Sequence, residues 1–76
     1  MIRARVEIGR EVQAVVEDAG GVELRGRVRL HPGRPVEVIT RSLDKAPVVR
    51  RAVVQSWRIV ELGSGGPIYR GACRWE

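Results

Sequence analysis

The feature that most constrains the fold is an unbroken period-two alternation of apolar and charged residues. Between Val22 and Leu30, every second residue is apolar or glycine, and the intervening residues are Glu23, Arg25, Arg27 and Arg29. Successive side chains of a β-strand point to opposite faces of the sheet. The pattern therefore predicts a strand with one buried face and one solvated face, as antiparallel sheets commonly have.

Similar patterns recur along the rest of the chain. They predict five more strands, over Ile2–Ile8, Val12–Glu17, Val36–Arg41, Val48–Leu62 and Ile68–Trp75. Val15 breaks the alternation in the second stretch. The mixed stretch from Val48 to Leu62 fits either one long strand buried on both sides or a strand broken by a β-bulge. A helix over Arg10–Glu17 is the weaker competitor, because its valines disfavour one.

The segments between these strands carry turn residues. Asp18 followed by Gly20 and Gly21 predicts an Asx turn, and Pro32-Gly33 predicts a type II turn. Thirteen valines and no phenylalanine supply a β-branched core. Six short strands at regular spacing predict an all-β fold, either a small antiparallel barrel or a curled sheet. The preferred prediction is a small six-stranded antiparallel β-barrel that fills one domain over residues 1–76.

Composition excludes several classes of function. A chain of 76 residues has no room for a dinucleotide-binding domain. Cys73 is the only cysteine and His31 the only histidine, so neither a disulfide framework nor a two-histidine metal site can form within one chain. The glycine loop at Gly63–Gly66 lacks the lysine and helix of a phosphate-binding loop. We therefore predict no enzymatic activity, no catalytic residues and no metal site.

The order and spacing of four segments resemble the PilZ domain family. The first is the turn within Val16–Leu24, and the second is the Leu-x-Pro-Gly stretch within Leu30–Val38. The others are the valine pair in Ala52–Trp57 and the Tyr-Arg-Gly strand in Ile68–Trp75. The likeness covers about residues 14–76 and implies a six-stranded β-barrel that, in typical members, binds cyclic di-GMP.

The resemblance also implies where such a nucleotide would bind. The residues of this chain that come nearest to the family's binding residues are Arg3, Arg5, Arg10, Asp18 and Gly21. The chain departs from the family pattern, since it has no R-x-x-x-R motif and lacks the serine of the D/N-x-S-x-x-G turn. The resemblance thus implies a degenerate member in which cyclic di-GMP binding is weak or lost and protein interaction is the fallback role.

A basic stripe suggests an alternative function. Arg25, Arg27 and Arg29 would share one strand face about 6.6–6.8 Å apart, and Arg34 continues the series. That spacing is comparable with the phosphate repeat of a nucleic acid, so the alternative is a small basic nucleic-acid-binding β-barrel. The simpler interpretation is that these arginines form the solvated outer face of the sheet. The alternation places Trp57 and Tyr69 mainly in the interior, and this argues against the stacking of bases on their rings.

Charge is unevenly distributed along the chain, whose formal net charge is +5. The stretch from Glu11 to Glu23 is acidic and contains no basic residue, which suits protein–protein complementarity, including a homodimer. No membrane-spanning stretch is present, and a lone cysteine fits the cytoplasm. We therefore predict a non-enzymatic PilZ-like module in bacterial signalling or motility that binds a protein partner and needs no cofactor.

Overall fold

The computed structural model describes residues 4–76, and these residues form β-strands, turns and loops without a helix. The strands are β1 (Ala4–Glu7), β2 (Val12–Glu17), β3 (Gly21–Gly26), β4 (Pro35–Ser42), β5 (Lys45–Val54), β6 (Arg58–Gly63) and β7 (Gly66–Trp75). The all-β prediction is confirmed. The alternative of a helix over Arg10–Glu17 is wrong, because β2 occupies most of that stretch.

All seven strands belong to one curled sheet with the order β1-β4-β5-β7-β3-β2, and β6 pairs with β7. The pairing of β1 with β4 is parallel, and the other ladders are antiparallel. The all-β sheet departs from the predicted six-stranded antiparallel β-barrel, because it has seven strands, contains one parallel pair and is a curled half-barrel. The curled-sheet alternative describes it better. An isolated bridge joins Ile8, which follows β1, to Val12 at the start of β2.

The seventh strand arises because the predicted strand over Val48–Leu62 is interrupted at residues 55–57. The main-chain N–H groups of Gln55 and Ser56 both donate to the Ala72 carbonyl, and the Ser56 hydroxyl accepts from the Ala72 N–H. A Cβ at Gly71 would overlap the Ser56 carbonyl oxygen. Glycine at this position therefore lets the chain cross β7 closely between β5 and β6.

The strand predicted over Val22–Leu30 is also shorter than expected, since β3 ends at Gly26. The indole Nε1 of Trp57 donates to the Val28 carbonyl at 2.9 Å, which occupies an acceptor that a continuing strand would use. Leu30 is buried in the core. The segment after β3 thus turns inward, and Arg25, Arg27 and Arg29 do not form one strand face.

The core is made mainly of the inner-facing valines of five strands. Its buried residues are Val6, Val12, Val22, Leu24, Leu30, Val36, Val38, Ala52, Val54 and Cys73. Ile8, Val28, Trp57 and Trp75 pack against them while partly exposed. The face assigned from alternation contains the buried residues of β1, β3, β4 and β7. In β2 only Val12 of the assigned face is buried, and in β5 the mixed pattern does not assign a face to Ala52 and Val54.

The predicted turns form largely as expected. The Asp18 carboxylate accepts from the N–H groups of Gly20 and Gly21 at 2.8 and 3.0 Å, which is an Asx turn. The Arg34 N–H donates to the His31 carbonyl at 3.1 Å, and Gly33 has a φ of 84°, as a type II turn requires. Val15 lies at a register shift in the β2–β3 ladder, which explains the break in alternation.

The β4–β5 hairpin extends beyond the part of the sheet that covers the core. β1 pairs with β4 over residues 36–39, and β7 pairs with β5 over residues 52–54. The stretch from Thr40 to Arg51 is exposed throughout. We call this stretch, residues 40–51, the distal hairpin. Within residues 4–76, its two strands have only each other as neighbours in the sheet.

Candidate functional site

The structure does not assemble the predicted nucleotide site around its arginines. Arg3 lies outside the described residues. The Nε of Arg5 donates to Glu37 at 2.7 Å, and a guanidinium nitrogen of Arg10 lies 3.9 Å from Glu7. Both arginines therefore have a carboxylate partner on their own side of the sheet, and their positive charge is partly neutralised.

Asp18 and Gly21 lie at the other end of the strand order, in the turn between β2 and β3. The Asp18 carboxylate is occupied by its own turn, and its main-chain carbonyl accepts from the Trp75 indole at 3.1 Å. Within residues 4–76, no hydrogen bond or ion pair joins Asp18 to Arg5 or Arg10. The predicted site residues thus fall into two separate groups.

The Asp18 turn does border a shallow cleft of about 270 Å³, lined also by Glu23 and Gln55. Arg70 donates from its Nε to Glu23 at 2.8 Å, and this hydrogen bond lowers the pKa of Glu23 and raises that of Arg70. The lining of this cleft contains the two acidic side chains of Asp18 and Glu23 and no arginine or lysine. The cleft is therefore a poor place for a phosphate.

Two members of the predicted basic stripe have intramolecular partners. Arg25 pairs with Glu61 at 2.8 Å, and a terminal nitrogen of Arg27 donates to the Gly66 carbonyl at 2.8 Å. Arg29 and Arg34 lie outside the strands. The four arginines therefore do not form a row of unpaired cations. Because two of them lie outside the strands, their side chains do not repeat at the regular spacing that would match the phosphates of a nucleic acid.

A second basic site, which the alternation did not indicate, lies around Trp57 and Tyr69. Their rings are stacked, with centroids 6.3 Å apart and an interplanar angle of 13°. Both side chains are partly exposed, because β3 ends early and leaves this end of the half-barrel open. Gly71 lies between Tyr69 and Cys73 on the inner face, and its lack of a side chain leaves room for the Trp57 ring. This glycine is the feature of the sequence that could have indicated the site.

This aromatic pair lines a cleft of about 360 Å³, which we call the Trp57 cleft. Its other lining residues are Arg29, Leu30, His31, Pro32, Arg58 and Ile59. Its lining therefore combines aromatic rings with guanidinium groups, and no carboxylate of residues 4–76 belongs to it. Such a lining can accept a flat ring that carries negative charge.

The distal hairpin forms the third candidate surface, and its character is apolar and basic. Leu43 is fully exposed at the tip, and Val48 and Val49 are 54% and 53% exposed on opposite faces of β5. Arg41 pairs with Glu7, and the Arg50 guanidinium lies 3.8 Å from the centre of the Trp75 ring. No ion pair within residues 4–76 involves Lys45 or Arg51.

The single cysteine and the single histidine lie in different environments. Cys73 is buried in the core, and burial raises the pKa of its thiol to about 11, so it is a thiol at neutral pH. His31 is exposed in its turn. Among residues 4–76, no group of three or more His, Cys, Asp or Glu side chains could hold a metal ion. No helix in that range could cross a membrane.

Comparison with known proteins gives no relative from which a site could be transferred. A scan against protein-family models and searches of curated proteins and solved structures found no match to this chain. A function for this chain must therefore be inferred from its own residues and surfaces.

Proposed function

We propose that this chain is a non-enzymatic, PilZ-like module that binds a protein partner through the distal hairpin. The observation that carries the proposal is the complete exposure of residues 40–51, a two-stranded arm that adds nothing to the core. Isolated two-stranded hairpins are marginally stable in water. An arm of this length would be stabilised if another surface covered its exposed Leu43, Val48 and Val49 side chains.

The chemistry of the arm indicates the kind of partner that fits it. Apolar side chains lie at its tip and along β5, and the cations Lys45 and Arg51, which have no ion-pair partner among residues 4–76, lie at the two ends of this part of β5. A partner with an apolar centre and acidic residues at its edge would complement this surface. Charge complementarity of this kind favours recognition of one orientation over others.

Weak or lost binding of cyclic di-GMP is part of the same proposal. Arg5 and Arg10 are near carboxylates, and the Asp18 carboxylate accepts from its own turn. A nucleotide phosphate at Arg5 would share the guanidinium with Glu37, and the negative charge of that carboxylate would repel the phosphate. The resemblance to PilZ domains suggests that the partner belongs to bacterial signalling or motility.

Calorimetric titration with cyclic di-GMP tests the nucleotide part of this proposal. We expect no heat of binding at micromolar concentrations, because Arg5 and Arg10, the described arginines nearest to the family's binding positions, have carboxylate partners and do not contact Asp18. Glu37→Gln, which releases Arg5, is the informative variant, and Glu76→Gln is its control. Micromolar binding by the unmodified chain that Arg5→Ala or Arg10→Ala abolishes would overturn the proposal and make the chain a receptor.

A further inference from the structure

The Trp57 cleft differs from two other clefts of the molecule in its charge. The cleft at the β2–β3 turn has Asp18 and Glu23 in its lining. A second cleft, of about 550 Å³ between β2 and β3, includes Glu11 beside its arginines. The Trp57 cleft has cations and, within the described part of the chain, no carboxylate. The larger cleft also has three arginines, but Glu11 shares its lining, and Arg10 and Arg25 already have carboxylate partners. The Trp57 cleft suits an anionic ligand better, because neither of its arginines has such a partner within residues 4–76.

The aromatic wall of this cleft is held in place before any ligand arrives. The Trp57 indole is fixed by its hydrogen bond to the Val28 carbonyl, and Tyr69 stacks against it. Trp57 also packs against the glycine backbone at Gly71. A fixed aromatic wall loses little side-chain freedom when a flat ring packs on it, so binding costs less conformational entropy.

The two cations of the cleft are available to bind an anion. Among residues 4–76, neither Arg29 nor Arg58 has a carboxylate within ion-pair distance. Arg58 lies directly opposite Arg70 in the β6–β7 ladder, and Arg70 is already bound to Glu23. Like charges directly opposite each other across a sheet are unfavourable. Glu23 offsets part of this repulsion, because its charge interacts with Arg58 as well as with Arg70, and an anion bound at Arg58 would offset more of it.

We propose that the Trp57 cleft binds an unpaired nucleotide of a single-stranded nucleic acid. The base packs against the Trp57–Tyr69 wall, and the phosphates on either side of it contact Arg29 and Arg58. Aromatic stacking combined with cationic backbone contacts is the general mode of single-strand recognition. This site goes beyond the proposed protein docking function and uses residues outside the distal hairpin. It also differs from the strand-face stripe, since Arg25 and Arg27 have intramolecular partners.

Fluorescence anisotropy with a labelled short oligothymidylate tests the site. We expect saturable binding that weakens with salt, with a log–log slope of roughly −1.4 for two phosphates. Arg29→Glu and Arg58→Glu should each weaken binding by roughly tenfold or more, because each replaces a phosphate contact with a repulsive charge. Arg74→Glu is the matched control, since Arg74 is exposed and lies outside the cleft lining.

Three results would overturn the proposal. They are no binding of the oligonucleotide, an equal loss in Arg58→Glu and Arg74→Glu, or binding of the corresponding duplex as tightly as the single strand. Titration with free thymidine monophosphate distinguishes a site for a nucleic-acid strand from a site for a free nucleotide. We expect it to bind much more weakly than the oligonucleotide, and equal affinity would contradict a nucleic-acid ligand.

The indole resonances give a second measurement that requires no variant of the aromatic wall. The chain has two tryptophans, so its nitrogen–proton correlation spectrum contains two indole signals. Trp57 lines the cleft, whereas Trp75 lies under Arg50. Titration with the oligonucleotide should shift the Trp57 signal and leave the Trp75 signal in place. A shift of Trp75 alone would place the nucleic acid elsewhere and contradict the proposed site.

Discussion

The two halves of the β4–β5 hairpin have the same residue types and opposite environments. In the half next to the core, Val36, Val38 and Val54 are at most 1% exposed. In the distal hairpin, Val48 and Val49 are more than half exposed. Both halves have valine-rich, strand-forming sequences, so local propensity does not distinguish them. The difference lies in what covers each half.

The strand register explains this contrast. The buried half has β1 beside β4 at residues 36–39 and β7 beside β5 at residues 52–54. Beyond these residues, no strand of the described chain pairs with the hairpin, although Arg41 pairs with Glu7 and Arg50 lies over the Trp75 ring. The inward-facing position of Val48 therefore has no core to enter. The comparison shows that alternation predicts a strand and its faces, whereas burial depends on contacts between distant segments.

The largest expected effect uses a matched pair of truncations, one in each half. Val38→Ala removes buried methyl groups and should lower the free energy of unfolding by roughly 2–3 kcal/mol. Val48→Ala removes the same atoms from a half-exposed side chain and should change it by about 0.5 kcal/mol or less. Urea denaturation of both variants measures the difference. If both variants lost the same free energy of unfolding, Val48 would have to be packed as tightly as Val38, and the two halves of the hairpin would not differ in burial.

A smaller effect is expected where the chain passes from β5 to β6. Gly71→Ala would place a methyl group against the Ser56 carbonyl and the Trp57 ring, and should cost about 1–3 kcal/mol. Gly63→Ala is the control, because a Cβ there meets nothing within 4 Å. Thermal denaturation should separate the two variants by several degrees. A Gly71→Ala variant as stable as the control would mean that the close crossing at Ser56 is not required.

Much of the fold is predictable from the sequence, because strands and turns follow from local patterns. The alternation locates the core faces, and Asp18 and Pro32-Gly33 identify two turns. The break in alternation at Val15 coincides with the register shift in the β2–β3 ladder. The division of the stretch from Val48 to Leu62 is harder to predict, since the crossing depends on Gly71, which lies in a distant part of the chain.

The candidate sites are less predictable, because they depend on partners far away in sequence. Arg25 is paired with Glu61 and Arg5 with Glu37, each more than thirty positions along the chain. The alternation predicts only that these arginines lie on the solvated face. It does not show that a distant glutamate pairs with each of them. Tyr69 is correctly placed on the inner face by its parity, but the face itself is open at that end because β3 stops at Gly26.

The central claim is that the distal hairpin is a docking surface. Site-specific photocrosslinking in the native host tests it most directly, with the crosslinker at Val49 and a matched control at Ala19, which is exposed in the β2–β3 turn. We predict a discrete adduct with one protein from position 49, none from position 19, and loss of the adduct when Leu43→Asp is added. The same adducts from both positions, or none from position 49, would contradict the claim.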